Sequence, residues 1–193
     1  MSNSGPHDQN PLDPAHAGAS ASAKPSSKPP EPWLRGTLTD VPVLTRAVLH
    51  ALALAEEDIQ RWCSGLSDEE LNATPGGIAP VAFHLRHIVR SADRLLTYAD
   101  GRPLSSNQIP TMETELNECA GRESLLSEFR EGIKSASARI RVFSPALFDK
   151  SRAVGKLQLP TTVGSLLIHV ADHTQRHVGQ AITTAKIVSA GRR

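Results

Sequence analysis

His169-Val-Ala-Asp-His173-Thr-Gln-Arg-His177-Val-Gly-Gln180 lies inside a stretch, from Thr161 or Thr162 to about Ser189, that reads as one amphipathic helix. Val163, Leu166, Leu167, Val170, Ala181, Ala185 and Val188 recur at helical steps and mark its apolar side. A step of four residues advances about 40° around a helix, so the three histidines share one stripe. Neighbours on that stripe stand about 5–6 Å apart at Cβ, close enough for two imidazoles to converge on one ion. Catalytic zinc sites commonly use three protein ligands and keep a fourth position for water or substrate. A cluster on a solvent-facing helix side would have the same spacing.

Three more helical segments precede this one. Asp40 followed by Pro42 reads as a helix start, a capping side chain with proline in the first turn. Leu44, Val48, Leu52, Ala55, Ile59, Trp62 and Leu66 follow at steps of three and four, and Gly65 can end the helix. Ser67 and Glu70 have capping-box spacing for a single short turn. Asn72-Ala-Thr-Pro75-Gly-Gly77 then breaks the chain. A second long helix is expected from about Ile78 to Tyr98, with Val81, Leu85, Ile88, Ala92 and Leu95 on one face. Asp100-Gly-Arg-Pro103 closes it, and a polar connection continues to about Thr114. The third spans roughly Arg122 to Val142 on Leu125, Leu126, Phe129, Ile133, Ala136 and Ile140. Ser144-Pro145 interrupts that pattern, and Phe148 to Pro160 reads as an irregular or short extended connection. Four long amphipathic segments predict an all-α four-helix bundle, with connections long enough for a crossover.

Residues 1–32 differ in kind from the rest. Seven of the fourteen prolines fall there among Ser, Ala, Gly and Asn, without an aromatic residue. Such a segment buries too little apolar surface to offset its ordering entropy, so a disordered tail is expected, with the bundle domain at 33–190. His7 and His16 in the tail are poor ligand candidates. Lys+Arg 21 nearly balance Asp+Glu 20, which argues against nucleic acid as a partner. The most apolar stretch, Val43 to Ala55, is interrupted by Thr45, Arg46 and His50 and is too short to span a membrane. With no leader pattern at the N-terminus, a cytoplasmic location is the expectation. Cys63 and Cys119 form neither a disulfide framework nor a Cys-x-x-Cys pair and read as small buried residues of helical stretches.

Helices of a bundle that face one another can build a metal site together. The second helix offers Phe83-His84-Leu85-Arg86-His87-Ile88. On a helical wheel His84 sits nearer the Leu85/Ile88/Ala92 face than His87, which favours His84. Thr-Gln-Arg between His173 and His177 lacks the glutamate that a zincin protease uses as its base. No glycine-rich phosphate loop and no Gly-x-Ser-x-Gly turn is present. Asp172 and Gln180 could hydrogen-bond the free ring nitrogens of ligating histidines. Arg86, Arg90 and Arg176 flank the histidines and could hold a carboxylate, or simply face water. His50 falls off the apolar stripe of the first helix and is expected to be exposed.

Pro80-Val-Ala-Phe-His-Leu-Arg-His87-Ile-Val-Arg-Ser-Ala-Asp-Arg94-Leu together with the His169–Gln180 segment resembles the DinB superfamily of DinB/YfiT-like metalloenzymes. The resemblance covers roughly Asp40 to Val188, and its specific part is these two histidine segments. It implies a four-helix bundle, often dimeric, with a three-histidine site for zinc, nickel or another divalent ion such as iron. The family's second-helix ligand is a histidine followed by an aliphatic residue, here His87, and its paired fourth-helix ligands match His173 and His177. His169 then lies one turn earlier, either supporting the ligands from outside or as an alternative ligand. Val178 stands where many relatives carry a basic residue before Gly-Gln, which weakens inference about an anionic substrate group there. The resemblance also implies a transferase or isomerase that uses a low-molecular-weight thiol and an electrophile. The alternative is a non-catalytic, stress-related metal-binding protein.

Overall fold

The computed structural model of the protein describes Met1 and residues 29–109 and 114–191. The expected disordered tail lies, over residues 2–28 with His7 and His16, outside the described residues. Five α-helices are present among the described residues: α1 (Val43–Cys63), α2 (Asp68–Asn72), α3 (Val81–Ala99), α4 (Arg122–Arg141) and α5 (Val163–Ala190). The four long ones form the bundle, and short 3-10 turns sit at Pro32–Leu34, Pro75–Gly77 and Pro145–Leu147. None of the described helices is long and apolar enough to cross a membrane.

Packing partners fix the topology. Both α1 and α3 pack against α4 and α5, so α1 lies diagonally opposite α3. Gln175 Nε2 donates to the Ala51 carbonyl at 2.7 Å, and Lys186 Nζ lies 4.4 Å from the Trp62 ring centroid, so α1 and α5 run parallel. The pairs His84–His177 and His87–His173 make α3 antiparallel to α5. Arg90–Glu128 and Asp93–Arg139 make α3 and α4 parallel. The long helices therefore run up, down, down, up. Parallel neighbours cannot be joined by a tight turn, and the connection after α3 must return over a helix about 28 Å long. That requirement accounts for its length and brings its second half alongside α3.

The core is continuous across all four long helices. Leu52, Ile59, Leu85, Ile88, Leu96, Leu125, Phe129, Ile140 and Leu167 are essentially without solvent exposure. The Ser67 hydroxyl accepts from Glu70 N at 3.2 Å and the Glu70 carboxylate accepts from Ser67 N at 2.8 Å, completing the capping box of α2. On α5, Thr162 Oγ1 caps the helix by accepting from Ser165 N at 3.2 Å.

Several local expectations are corrected. Asp40 does not cap α1; Pro42, with extended ψ, occupies the cap position and no side chain bonds the first turn. Likewise α3 begins at Val81, because Ile78 and Pro80 are extended and a residue before proline is pushed out of the helical region. The connection read as irregular or short extended takes the extended form, an antiparallel hairpin of β1 (Ser151–Val154) and β2 (Leu159–Thr162) that runs two residues past Pro160, with Ser151 opposite Thr162. Its turn uses Gly155 and Gln158 at positive φ, and Arg152 Nε donates to the Ala99 carbonyl at the end of α3. His50 is buried, not exposed, because the chain before α1 passes it at Thr37, whose Oγ1 stands 3.2 Å from its Nε2. Cys63 is buried as expected, whereas Cys119 is exposed on the connection before α4.

Gly132 sets the approach of α4 to α3. A Cβ there would meet Val89 Cβ at 2.4 Å, well inside van der Waals contact. Gly132→Ala is expected to cost about 1–3 kcal/mol from overpacking despite the better helix propensity of alanine. Gly179→Ala on α5, with open space around it, should instead gain up to about 1 kcal/mol. Urea melts of the two variants test the contrast, and equal midpoints would contradict it.

Candidate metal centre

Antiparallel packing brings two turns of α3 against two turns of α5. His87 Nε2 and His173 Nε2 are 3.2 Å apart, and His84 Nδ1 and His177 Nδ1 are 3.0 Å apart. The rings of His173 and His177, one turn apart on α5, have centroids 4.5 Å from each other, and His87 lies 4.9 and 4.5 Å from them. His87, His173 and His177 each offer one ring nitrogen to a group in which all such atoms lie within 4.8 Å. All three are half-buried.

The four histidines of this patch divide their roles by side. His84 is buried and lies against the Nδ1 edge of His177, leaving Nε2 of His177 for the cluster. It is His87, at the edge of the buried face, that joins His173 and His177. The wheel thus identifies the more buried histidine correctly, and that histidine stands behind the cluster. His169 is exposed, with its ring centroid 5.6 Å from that of His173. Phe83 stacks on His87 at 5.1 Å and meets His84 edge-on at 5.2 Å, covering one side of both rings.

Glu115 is the residue that sequence reasoning missed. It lies in the connection between α3 and α4, is 2 % exposed, and places Oε2 2.7 Å from His87 Nδ1. Arg94 Nη1, about two turns further along the same side of α3, donates to Glu115 Oε1 at 2.6 Å. No spacing rule connects a carboxylate in a polar connection with a histidine 28 residues earlier. The residues expected in this role are elsewhere: Asp172 pairs with Arg176 at 2.5 Å, and Gln180 is exposed beside a neighbouring cleft. Of the flanking arginines, Arg90 pairs with Glu118 and Glu128, and Arg86 is buried with Glu118 Oε1 3.9 Å from its Nε.

Electrostatics suit the cluster to a cation. Burial, and after it the proximity of the other imidazoles, pushes His84 and His173 down to about 4. Burial followed by His87 and Arg176 does the same to His177. These rings are therefore neutral at pH 7 and present lone pairs, which is the form that binds metal. Burial alone would raise the Glu115 carboxyl, but hydrogen bonds from His87 and Arg94 hold it below its ordinary value. Three convergent imidazoles, His173 and His177 neutral and His87 with a carboxylate on its far nitrogen, fit a divalent transition-metal ion.

A pH dependence follows. The unfolded histidines titrate near about 6.5, while three native ones titrate near 4. Between these values the unfolded chain binds more protons. The stability contributed by the neutral rings is complete above about pH 6.5 and is lost as pH falls toward 4. Urea midpoints of the metal-free protein should drop between pH 7 and 5, with a shallower drop for His173→Gln. A flat profile would contradict the neutral cluster.

No curated protein and no solved structure matches the chain. The family model described as DinB superfamily matches residues 51–181, more than half of the chain. That span holds α3, the connection bearing Glu115, α4 and the three clustered histidines. With the helical bundle and this cluster in place, the chain belongs to the DinB superfamily.

Proposed function

We propose that the protein binds one divalent transition-metal ion through His87, His173 and His177, zinc or nickel being the best match to three imidazoles, and that it is a metal-dependent transferase or isomerase acting with a low-molecular-weight thiol. The observation that carries this reading is the convergence of three ring nitrogens within 4.8 Å, with no fourth protein ligand among the described residues of that group. An ion held there by His87, His173 and His177 would supply Lewis acidity, which lowers the pKa of a thiol beside it and so favours the nucleophilic thiolate.

The chain's own residues provide the surroundings. A cleft of about 560 Å³ is bounded by Ile78, Ala79, His84, Arg176, Gln180 and Thr183, so it begins beside the His84–His177 pair. Arg176, held by Asp172, and the polar ends of Gln180 and Thr183 suit the acidic or hydroxyl groups of a small polar thiol. Burial pushes the Cys63 thiol up to about 12, which removes it as a nucleophile at neutral pH. Glu115 is engaged by both His87 and Arg94 and is not free to act as a general base. The nucleophile is therefore assigned to the cosubstrate. The cleft supports this reading over a purely metal-holding role by giving a small molecule room next to His84, the neighbour of His177, while the three ligand histidines themselves lie outside its lining.

Elemental analysis of protein purified without added metal is expected to give near one equivalent, lost in His87→Ala, His173→Ala and His177→Ala. The loaded protein should then consume thiol in the presence of alkyl halides or activated alkenes, and the variants should not. Metal without turnover across such a panel would favour the non-catalytic reading. Absence of metal uptake on titration with zinc or nickel would refute both.

A further inference from the structure

The connection between α3 and α4 is held against α3 by a ladder of charges. Arg86, Arg90 and Arg94 follow at steps of four and so lie along one face of α3. Arg94 meets Glu115 at 2.6 Å, Arg90 meets Glu118 at 2.7 Å and Glu128 of α4 at 2.6 Å, and Arg86 lies 3.9 Å from Glu118. The same segment is fastened at its far end, where Asn72 Nδ2 donates to the Ala120 carbonyl and Asp68 accepts from Arg122 N. This docking carries the Glu115 carboxylate to the far edge of His87.

From this arrangement we infer that Glu115 is a positioning residue for the metal centre, setting the proton of His87 on Nδ1 so that the Nε2 lone pair faces His173 and His177. The inference rests on the metal-site reading above for its consequence, though the proton assignment itself concerns the metal-free protein. A carboxylate can only accept, so the nitrogen 2.7 Å from Glu115 Oε2 must carry the hydrogen. A neutral imidazole has one N–H, and its other nitrogen is then the acceptor. For His87 that other nitrogen is Nε2, the one 3.2 Å from His173 Nε2. Arg94 gives the arrangement its direction. It donates to Glu115 Oε1 and, at 3.5 Å, to Oε2, so the carboxylate is ionised and held in place by a partner that is itself only 7 % exposed. Glu115 lies on the Nδ1 side of the ring and is not a fourth ligand.

Glu115→Gln separates positioning from bulk structure, because it is nearly isosteric. Arg94 offers only donors, so the glutamine carbonyl turns to it and the amide NH2 faces His87 Nδ1. An NH2 group there can only donate, which drives the His87 proton to Nε2 and blocks the ligand nitrogen. Long-range proton–nitrogen correlation spectra of the metal-free protein should show His87 as the Nδ1–H form in the wild type and as Nε2–H in the variant. Zinc affinity, measured by chelator competition, should fall about 10–100-fold. If Glu115→Gln does not fold, an Arg94→Met, Glu115→Leu double variant removes both charges together. It is expected to lose about tenfold in zinc affinity with mixed ring forms. Wild-type affinity and an unchanged Nδ1–H form in either variant would overturn the inference. A wild type that takes up no zinc would refute the metal-site reading alone, since the ring spectra still decide which nitrogen of His87 carries the proton beside Glu115.

Discussion

The antiparallel contact between α3 and α5 is the constraint from which the site follows. On α3 the step from His84 to His87 is three residues, and on α5 the step from His177 to His173 is four. Both steps keep side chains on one helix face. Running the helices in opposite directions sets the two pairs side by side, 3.0 and 3.2 Å apart at their nearest ring nitrogens. The register is in turn held by the apolar layer beneath, with Leu85, Ile88 and Val170 buried to 1 % or less.

The same topology that creates the cluster also furnishes its support. Because α3 and α4 are parallel neighbours, the chain between them has to travel back along the bundle, and in doing so it passes the edge of His87. Burial of a carboxylate on that path would be costly if it were unpaired. Glu115 is satisfied by Arg94 on one side and His87 on the other, so the buried pair ties the return segment to the histidine. Arg86 belongs to the same face. It is buried, its nitrogens make no hydrogen bond to the described residues, and Glu118 at 3.9 Å is the carboxylate that offsets its charge.

The bundle was legible because its long helices obey simple periodicity. Leu52, Ile59, Leu85, Ile88, Phe129 and Leu167 all fall where a 3.6-residue period puts them, and the Ser67/Glu70 box is present. Failures occurred where tertiary contacts outside the bundle faces decide the environment. His50 is off the helix stripe, yet residues before α1 cover it, a contact that no local pattern encodes. The hairpin β1–β2 is too short and too exposed to show a clear two-residue alternation. In the site, His173 and His177 were visible as a stripe on one helix, and His87 through its motif. Glu115 was not, since its role depends on where a long connection lies in space. Asp172 looked suitable in sequence because it adjoins His173, but on a helix adjacent residues face different directions, and it turns to Arg176 instead.

The central claim is that three imidazoles, one from α3 and two from α5, form a single ligand set. X-ray absorption spectroscopy of the protein loaded with one equivalent of zinc tests it most directly. The account predicts a nearest shell of nitrogen and oxygen at about 2.0–2.1 Å with the outer-shell scattering of three imidazole rings and no sulfur. One or two rings, or a zinc–sulfur distance near about 2.3 Å, would contradict it.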